Sequence, residues 1–315
     1  MDKGHRYTDK QIEALEKRLL RFYGGVSAEL KKELTAFLKA HTDEINGLWE
    51  RLDNGEQIDV DILLAQGFTD EIDALAERCA EADIDAMKLV AVVMGSVYAF
   101  NHNYQADKLN RTAGVDISHV SASAIKKLLR TVGRIQRKKR LLIPPRPDKM
   151  KDRLWHRIKI RYAITDGIRH GRSIPEIAQK LETVTKMDAN ASFRAARTAC
   201  TNAENQGKLE AMYTLRDEYG VDVKKMWYAT LDNRTRTEHR MIHGEVRELE
   251  EPFSNGLQFP ADPDGAPYEV WNCRCTMIDV ISGMDAIKES PNGMSREEWE
   301  KMKPKSKPYP KKKKK

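Results

Sequence analysis

Cysteine is scarce in this chain, aromatic residues make up only 7% of it, and it contains no run of eighteen apolar residues. Each scarcity removes a class of protein. Four cysteines in 315 residues, two of them one residue apart, cannot form the disulfide framework of a small secreted domain, and they suit a reducing compartment. The longest apolar region, Met87 to Phe100, is interrupted by Lys88, Gly95 and Ser96. It reads as a buried helix, too short and too broken for a bilayer span, so no stable membrane insertion is expected. The polar start, Met1 to Arg6, leads straight into a helical pattern, and no secretory signal is expected. Also missing are a phosphate-binding Gly-x-x-x-x-Gly-Lys-Ser/Thr sequence, a dinucleotide fingerprint and His-Glu-x-x-His. No catalytic residues are assigned, and the chain is expected not to be an enzyme.

What is present is a globular composition, 40% hydrophobic and 33% charged, with a net charge of +7 in one place. Residues 296–315 hold Arg296 and nine lysines (Lys301, Lys303, Lys305, Lys307, Lys311, Lys312, Lys313, Lys314 and Lys315) against three glutamates, and the rest of the chain is formally neutral. Basicity belongs to a tail and not to a domain surface. Such a tail is an electrostatic ligand for double-stranded DNA without sequence preference, or for an acidic protein surface. Counterion release makes that binding steeply salt-dependent.

Helical periodicity dominates the first 140 residues. Ile12, Leu15, Leu19, Phe22, Val26, Leu30, Leu34 and Phe37 recur at steps of three and four, opened by a possible capping box at Thr8 to Gln11 and interrupted at Gly24-Gly25. Further helices are predicted over Val60–Leu64, Thr69–Met87, Leu89 to about Arg111, and from a Ser118, Ser121 or Ser123 cap to Lys139. Pro144, Pro145 and Pro147 then stop any helix and stiffen the chain. Beyond them, helices are expected over Leu154–His170, from the Ser173/Glu176 cap to about Val184, and over Asn190–Tyr219, with Gly220 as the stop. Strands are expected only at Lys225–Leu231 and Cys275–Val280. The expected class is α+β: a helical region over 1–143, a Pro-rich linker at 144–149, a smaller α+β module over 150–281, and a polar Lys/Pro tail over 282–315.

The densest chemistry lies between Trp227 and Thr276. His239 and His243 stand four apart, on one face if the segment is helical, and Cys273 and Cys275 flank Arg274. Two imidazoles and two thiolates would satisfy tetrahedral Zn2+, although Cys-x-Cys is not a usual zinc spacing and in a strand it would send the two thiols to opposite faces. No cofactor is expected; Zn2+ is the one ion these side chains would suit, and the rival reading has His239 hydrogen-bonded in a packed loop with the cysteines as small buried hydrophobes. A thiol nucleophile lacks a flanking glycine-rich or oxyanion element. A metal-dependent nuclease or other hydrolase acting on nucleic acid, built on Asp232, His239 and the cysteines, is the alternative. The structural reading has Arg234 and Arg236 pairing with carboxylates such as Asp232, Glu238 and Glu245 to pin an irregular loop under Trp227, Phe253, Phe259 and Trp271.

The ordered series Ala195-Ala-Arg197 through Thr201, Glu204 and Asn205, then Lys225-x-Trp227, Thr230-x-Asp232-x-Arg234-Thr-Arg236-x-x-His239, Gly244, Phe253 and Asn272-Cys273-Arg274-Cys275, resembles the phage Mu protein F-like domain of tailed-phage minor head proteins. The resemblance covers roughly residues 150–280. Its motif positions here are Arg197, Trp227, Asp232, Arg234, Arg236, His239, Gly244, Asn272, Cys273, Arg274 and Cys275, a signature without a catalytic assignment. Relatives often carry aspartate at the position of His243, which weighs against the two-histidine zinc set. The resemblance implies a minor capsid, head-morphogenesis protein of a bacteriophage or prophage. Its implied partners are the portal protein and an inner capsid or scaffold protein, with packaged DNA in contact and a part in DNA ejection. The implied location is the virion, at the capsid interior or portal vertex, and the host cytoplasm during assembly.

Overall fold

The computed structural model describes residues 2–57, 68–125 and 153–281. The linker at 144–149, the helix predicted over Val60–Leu64, the basic stretch Arg134–Arg140 and the tail with its nine lysines lie outside the described residues. Five long helices carry most of the rest: α1 (Lys3–Ala40), α2 (Thr42–Asp53), α3 (Thr69–Ala113), α4 (Arg153–Arg169) and α5 (Ile174–Tyr219). After them come β1 (Val223–Tyr228), the short α6 (Thr237–Met241), β2 (Val246–Arg247), the single turn α7 (Pro267–Val270) and β3 (Thr276–Ile281). The sheet order is β2-β1-β3, antiparallel throughout, with Met226 opposite Ile278 and Trp227 opposite Met277. The fold is thus largely helical with a small sheet, the α+β class expected. Among the described residues no helix is long and apolar enough to cross a membrane.

Several predicted helices turn out to be pieces of longer ones. The segments expected at Thr69–Met87 and Leu89–Arg111 form one 45-residue helix, and those from Ser173 and from Asn190 form one of 46 residues. The glycine pair Gly24-Gly25 does not break α1, because helical φ and ψ remain open to glycine at a cost of only about 1 kcal/mol each. The capping box expected at Thr8 is a correction. The helix begins five residues earlier, where the Asp2 carboxylate accepts the amides of Gly4 (2.8 Å) and His5, and Thr8 hands its hydroxyl proton to the Gly4 carbonyl inside the helix. Ser121 does cap, accepting the Ala124 amide at 3.1 Å, and residues 122–125 are helical. Ser173 and Glu176 pair as expected, with the Ser173 amide and hydroxyl both donating to the Glu176 carboxylate. Gly220, at φ +67°, ends α5 with its own N–H returning to the Arg216 carbonyl at 3.0 Å, the five-to-one closure of an αL stop.

The contacts divide the chain into two compact units, each assembled from separated stretches. One takes 13–91 and 145–196. Its core joins Leu30, Leu34 and Leu38 of α1 and Ile72 and Leu75 of α3 to Ile160, Ile164 and Ile168 of α4 and Ile177 and Leu181 of α5. The other takes 1–12, 92–144 and 197–315 and contains the sheet. Leu109, Leu209, Met212, Leu215, Val223 and Met277 fill one of its clusters, and Trp227, Leu231, Phe253 and Leu257 another. Gly207 has a defined part in this unit. A Cβ there would stand 2.6 Å from the Tyr98 carbonyl oxygen and 3.0 Å from the His102 amide, so glycine lets α5 and α3 meet backbone to backbone.

At the centre of the sheet-containing unit lies a closed set of charges. Glu204 and Lys208, one turn apart on α5 and both fully buried, pair at 2.9 Å. Lys208 also binds Asp2 and donates to Thr276 Oγ1 at 2.8 Å, while Glu204 accepts from Thr276 at 2.6 Å and meets His5 Nδ1 at 3.1 Å. Burial opposes the charge on each, yet the mutual attraction prevails: Glu204 is held well below the usual carboxylate range, Lys208 is raised, and His5 is pushed up to about 9. Removing one member strands the others, so Glu204→Gln is expected to lower unfolding free energy by about 3–5 kcal/mol in a denaturant titration. The His5 proton adds a pH signature. It is bound more tightly in the folded state, so its contribution is complete below about 6.5 and is lost as pH rises through about 9. Stability in that window should fall by at most about 1.4 kcal/mol per pH unit, and His5→Gln should flatten the slope.

Candidate metal centre

The signature residues gather in the sheet-containing unit around Trp227, which is fully buried in β1. Its ring meets His239 and Phe253 edge-on, each centroid at 5.1 Å, and its backbone exchanges hydrogen bonds with Glu245 and Gly244. Gly244 sits at φ +83°, a conformation that glycine adopts without strain, and it turns the chain from α6 back to β2. Phe253 belongs to the same cluster as Trp227, whereas Phe259 packs in the neighbouring one and Trp271 is only half-buried.

The thiols do not obey the strand argument. Cys273 and Cys275 precede β3 and lie in a turn that follows Asn272, a non-glycine residue at φ +60°. That turn directs both sulfurs to one atom: Sγ of Cys273 is 3.6 Å and Sγ of Cys275 3.5 Å from His239 Nδ1. Arg274, between them, turns away to Asp232. The other imidazole nitrogen, Nε2, contacts the buried Glu269 carboxylate of α7 at 2.7 Å. All four side chains are buried, none more than 4% exposed. Burial works against the His239 charge, but hydrogen bonds to Cys273 and Glu269 push the ring up to about 9. Burial likewise disfavours the Cys273 thiolate, and its contacts with Cys275 and His239 pull that thiol well below the ordinary range while Cys275 is raised. His239, Cys273 and Cys275 can hold a metal ion, their ligand atoms all within 4.8 Å of one another.

His243 is a correction to the four-ligand expectation. Helix α6 ends at Met241, so the i, i+4 face that would have joined the two histidines does not exist. Instead His243 Nδ1 accepts the Ala229 amide at 3.1 Å and its ring lies against Tyr228. A second grouping that can hold a metal ion stands in the other unit: Cys79, His156 and Asp188, all buried, with His156 Nε2 3.2 Å from Asp188 and 3.8 Å from Asp83. Its members come from three helices more than thirty residues apart, and no spacing rule would have found it.

The arginines are distributed differently from expectation. The bidentate fork belongs to Arg274, whose two terminal nitrogens reach Asp232 at 2.6 and 2.7 Å. Arg234 is largely exposed, with its amide bonded to Asp232 at 2.9 Å and its Nε in a long 4.0 Å ion pair with the same carboxylate, while Arg236 donates to the Trp271 carbonyl. Arg197 reaches Asn272 Oδ1 at 3.3 Å. Both Asp232 oxygens are therefore engaged by Arg274, in place of the free acid that the nuclease reading draws on. Residues outside the expected set also shape the turn. Thr201 donates to the Cys273 carbonyl, Asn205 takes the Met277 amide at 2.9 Å, and Thr198 takes the Asn272 amide. Thr201 and Asn205 belong to the motif that carried the resemblance, and their spacing of four on α5 was the available signal.

Residues 158–278 match the family described as Phage Mu protein F like protein. Three relatives place the match in context. Minor head protein GP7 of Bacillus phage SPP1 is 24% identical over 284 residues, covering 88% of this chain and 86% of that protein. NAD(+)--arginine ADP-ribosyltransferase EFV of Enterococcus faecalis is 30% identical over 145 residues, and an uncharacterized protein of Haemophilus influenzae is 27% identical over 145. The chain spans only 30% and 29% of the lengths of those two. No solved structure matches.

The Asp232–Arg274 pair yields a test. Hydrogen bonds from Arg274, which outweigh burial, hold the Asp232 carboxyl down at about 2. Its stabilisation is complete above the unfolded value near 4 and is lost as pH falls through about 2. Discounted for partial exposure, Asp232→Asn should cost about 1–2 kcal/mol at neutral pH and remove part of the acid dependence in thermal unfolding. Arg274→Lys should behave similarly, because an ammonium cannot supply the fork.

Proposed function

We propose that this chain is a minor capsid, head-morphogenesis protein of a tailed bacteriophage or prophage, which associates with the portal during procapsid assembly and acts without catalysis. The observation that carries the reading is the near full-length correspondence with a minor head protein, 88% of one chain against 86% of the other. A match confined to the Mu F-like residues would leave the helical half unexplained. The Enterococcus transferase shares only 30% of its length with this chain, so its named activity is no guide to the part in common.

The internal chemistry supports an architectural role. The most reactive side chains of the signature, two thiols and an imidazole, are buried among Trp227, Phe253 and Leu257 in one cluster. Asp232 is neutralised by Arg274. Such groups hold a loop in place. The inner capsid or scaffold protein is the second protein contact, and packaged double-stranded DNA meets the basic tail without sequence preference. The protein then resides at the capsid interior or portal vertex and takes part in DNA ejection.

Co-expression with the portal, scaffold and major capsid proteins, followed by sedimentation, tests the assignment. The chain is expected to co-sediment with procapsids and to be lost from them when the portal is omitted. Consistent absence from portal-containing particles would overturn it. The tail has its own measurement. Deleting residues 301–315 should abolish most nonspecific DNA affinity and make the plot of log K against log salt shallower by about 0.9 for each phosphate that the tail neutralises. Unchanged affinity would move the DNA-binding surface to Arg134–Arg140.

A further inference from the structure

Two thiols converging on one imidazole nitrogen need an explanation beyond hydrogen bonding. With Nε2 turned to Glu269, Nδ1 offers one hydrogen-bonding position, and one position serves one sulfur well. Here two sulfurs stand at nearly equal distances, 3.5 and 3.6 Å. The distances suit a shared ion between them. Tetrahedral Zn2+ holds sulfur at about 2.3 Å and imidazole nitrogen at about 2.0–2.1 Å, which puts the two ligand atoms about 3.5 Å apart. Each Sγ–Nδ1 separation thus matches the length of one edge of a zinc tetrahedron.

The surroundings fit the same ion. A ligating histidine normally donates its distal N–H to a carboxylate, which fixes the tautomer and aims the ring. Glu269 does this at 2.7 Å from within the core. Backbone bonds fix the turn that carries the thiols: the Cys273 carbonyl is held by Thr201 Oγ1 at 2.9 Å and the Asn272 amide by Thr198 Oγ1 at 2.9 Å. Two thiolates select a soft or borderline metal such as zinc over magnesium, calcium or manganese. Catalytic zinc presents an open position to substrate, whereas these three ligands are only 1–2% exposed.

We propose that His239 Nδ1 and the thiolates of Cys273 and Cys275 bind one Zn2+ ion, with Glu269 as the positioning residue behind the histidine, and that this centre is structural. The ion ties α6 to the turn before β3, and Glu269 extends that tie to α7. The inference does not depend on the head-assembly reading. Zinc content and procapsid incorporation are separate measurements, and either can fail while the other holds.

The test begins with the full chain, purified without chelator and reconstituted with Zn2+. Elemental analysis should find one equivalent of zinc, and X-ray absorption two sulfur ligands at about 2.3 Å. Co2+ in place of zinc should give tetrahedral visible bands with thiolate-to-metal charge transfer. Cys273→Ser and Cys275→Ser should each lose the ion, and Glu269→Gln should weaken its binding about 10–100-fold. Cys79→Ser and Asp188→Asn, in the other buried grouping, should keep it. Less than one-tenth of an equivalent in folded, reconstituted wild-type protein would overturn the proposal, as would a cobalt spectrum without thiolate bands. So would loss of the metal on Cys79→Ser with retention on Cys273→Ser. The wild-type measurements decide the matter even if the cysteine variants fail to fold.

Discussion

Burying Glu204 and Lys208 side by side on α5 constrains everything else in the sheet-containing unit. Two charges cannot be withdrawn from water unless the remaining donors and acceptors are also satisfied, and a pair one turn apart on a helix cannot satisfy itself. The missing partners come from the far ends of that unit. Asp2 and His5 arrive from the start of α1, and Thr276 from the first residue of β3. The first dozen residues and the last strand are thereby required to meet on the same helix. That requirement joins two of the separated stretches that make up the unit, 1–12 and 197–315. An apolar core would have tolerated several registers, whereas this set of partners accepts one.

The candidate metal centre inherits its precision from the same helix. Thr201 and Asn205 flank Glu204 on α5, and they grip the chain at the Cys273 carbonyl, between the cysteines, and at the Met277 amide beyond them. Asn272 then takes a left-handed conformation, which asparagine tolerates better than most residues. That one residue turns Cys273 and Cys275 to the same side and leaves Arg274 facing Asp232. A buried ion network thus sets the height of β3, β3 sets the turn, and the turn sets the thiols.

How much of this was legible in the sequence depends on the range of the interaction. Local signals read well: the Ser173/Glu176 pair, the Gly220 stop, both strand positions and the helical class of the first half followed from caps, breakers and periodicity. Thr8 misled because Asp2, a stronger cap, lay ahead of the apolar pattern. Helices α3 and α5 looked divided because successive parts of each pack in different apolar clusters. At the site, the ligand types were evident but their assembly was not. His243 belongs to the four-ligand set only if its helix continues past Met241, and the cysteines diverge only if the strand begins before Thr276. Glu269 gave no signal at all, being thirty residues from the histidine it orients.

Charge is handled in two ways along this chain, and the difference bears on function. Inside, opposite charges are matched at contact distance and shielded from solvent, as in Glu204 with Lys208 and, closer to the surface, Asp232 with Arg274. Such pairs lie well within a Debye length, about 8 Å at physiological ionic strength, and salt screens them little. The excess of +7 falls instead on the last twenty residues, where no acidic partner of equal number exists. Attraction from that segment to a polyanion is sensitive to ionic strength by its nature. Salt can therefore loosen what the tail holds while leaving intact the fold that carries it. On the head-assembly role proposed above, contact with DNA and cohesion of the fold would then respond separately to ionic strength.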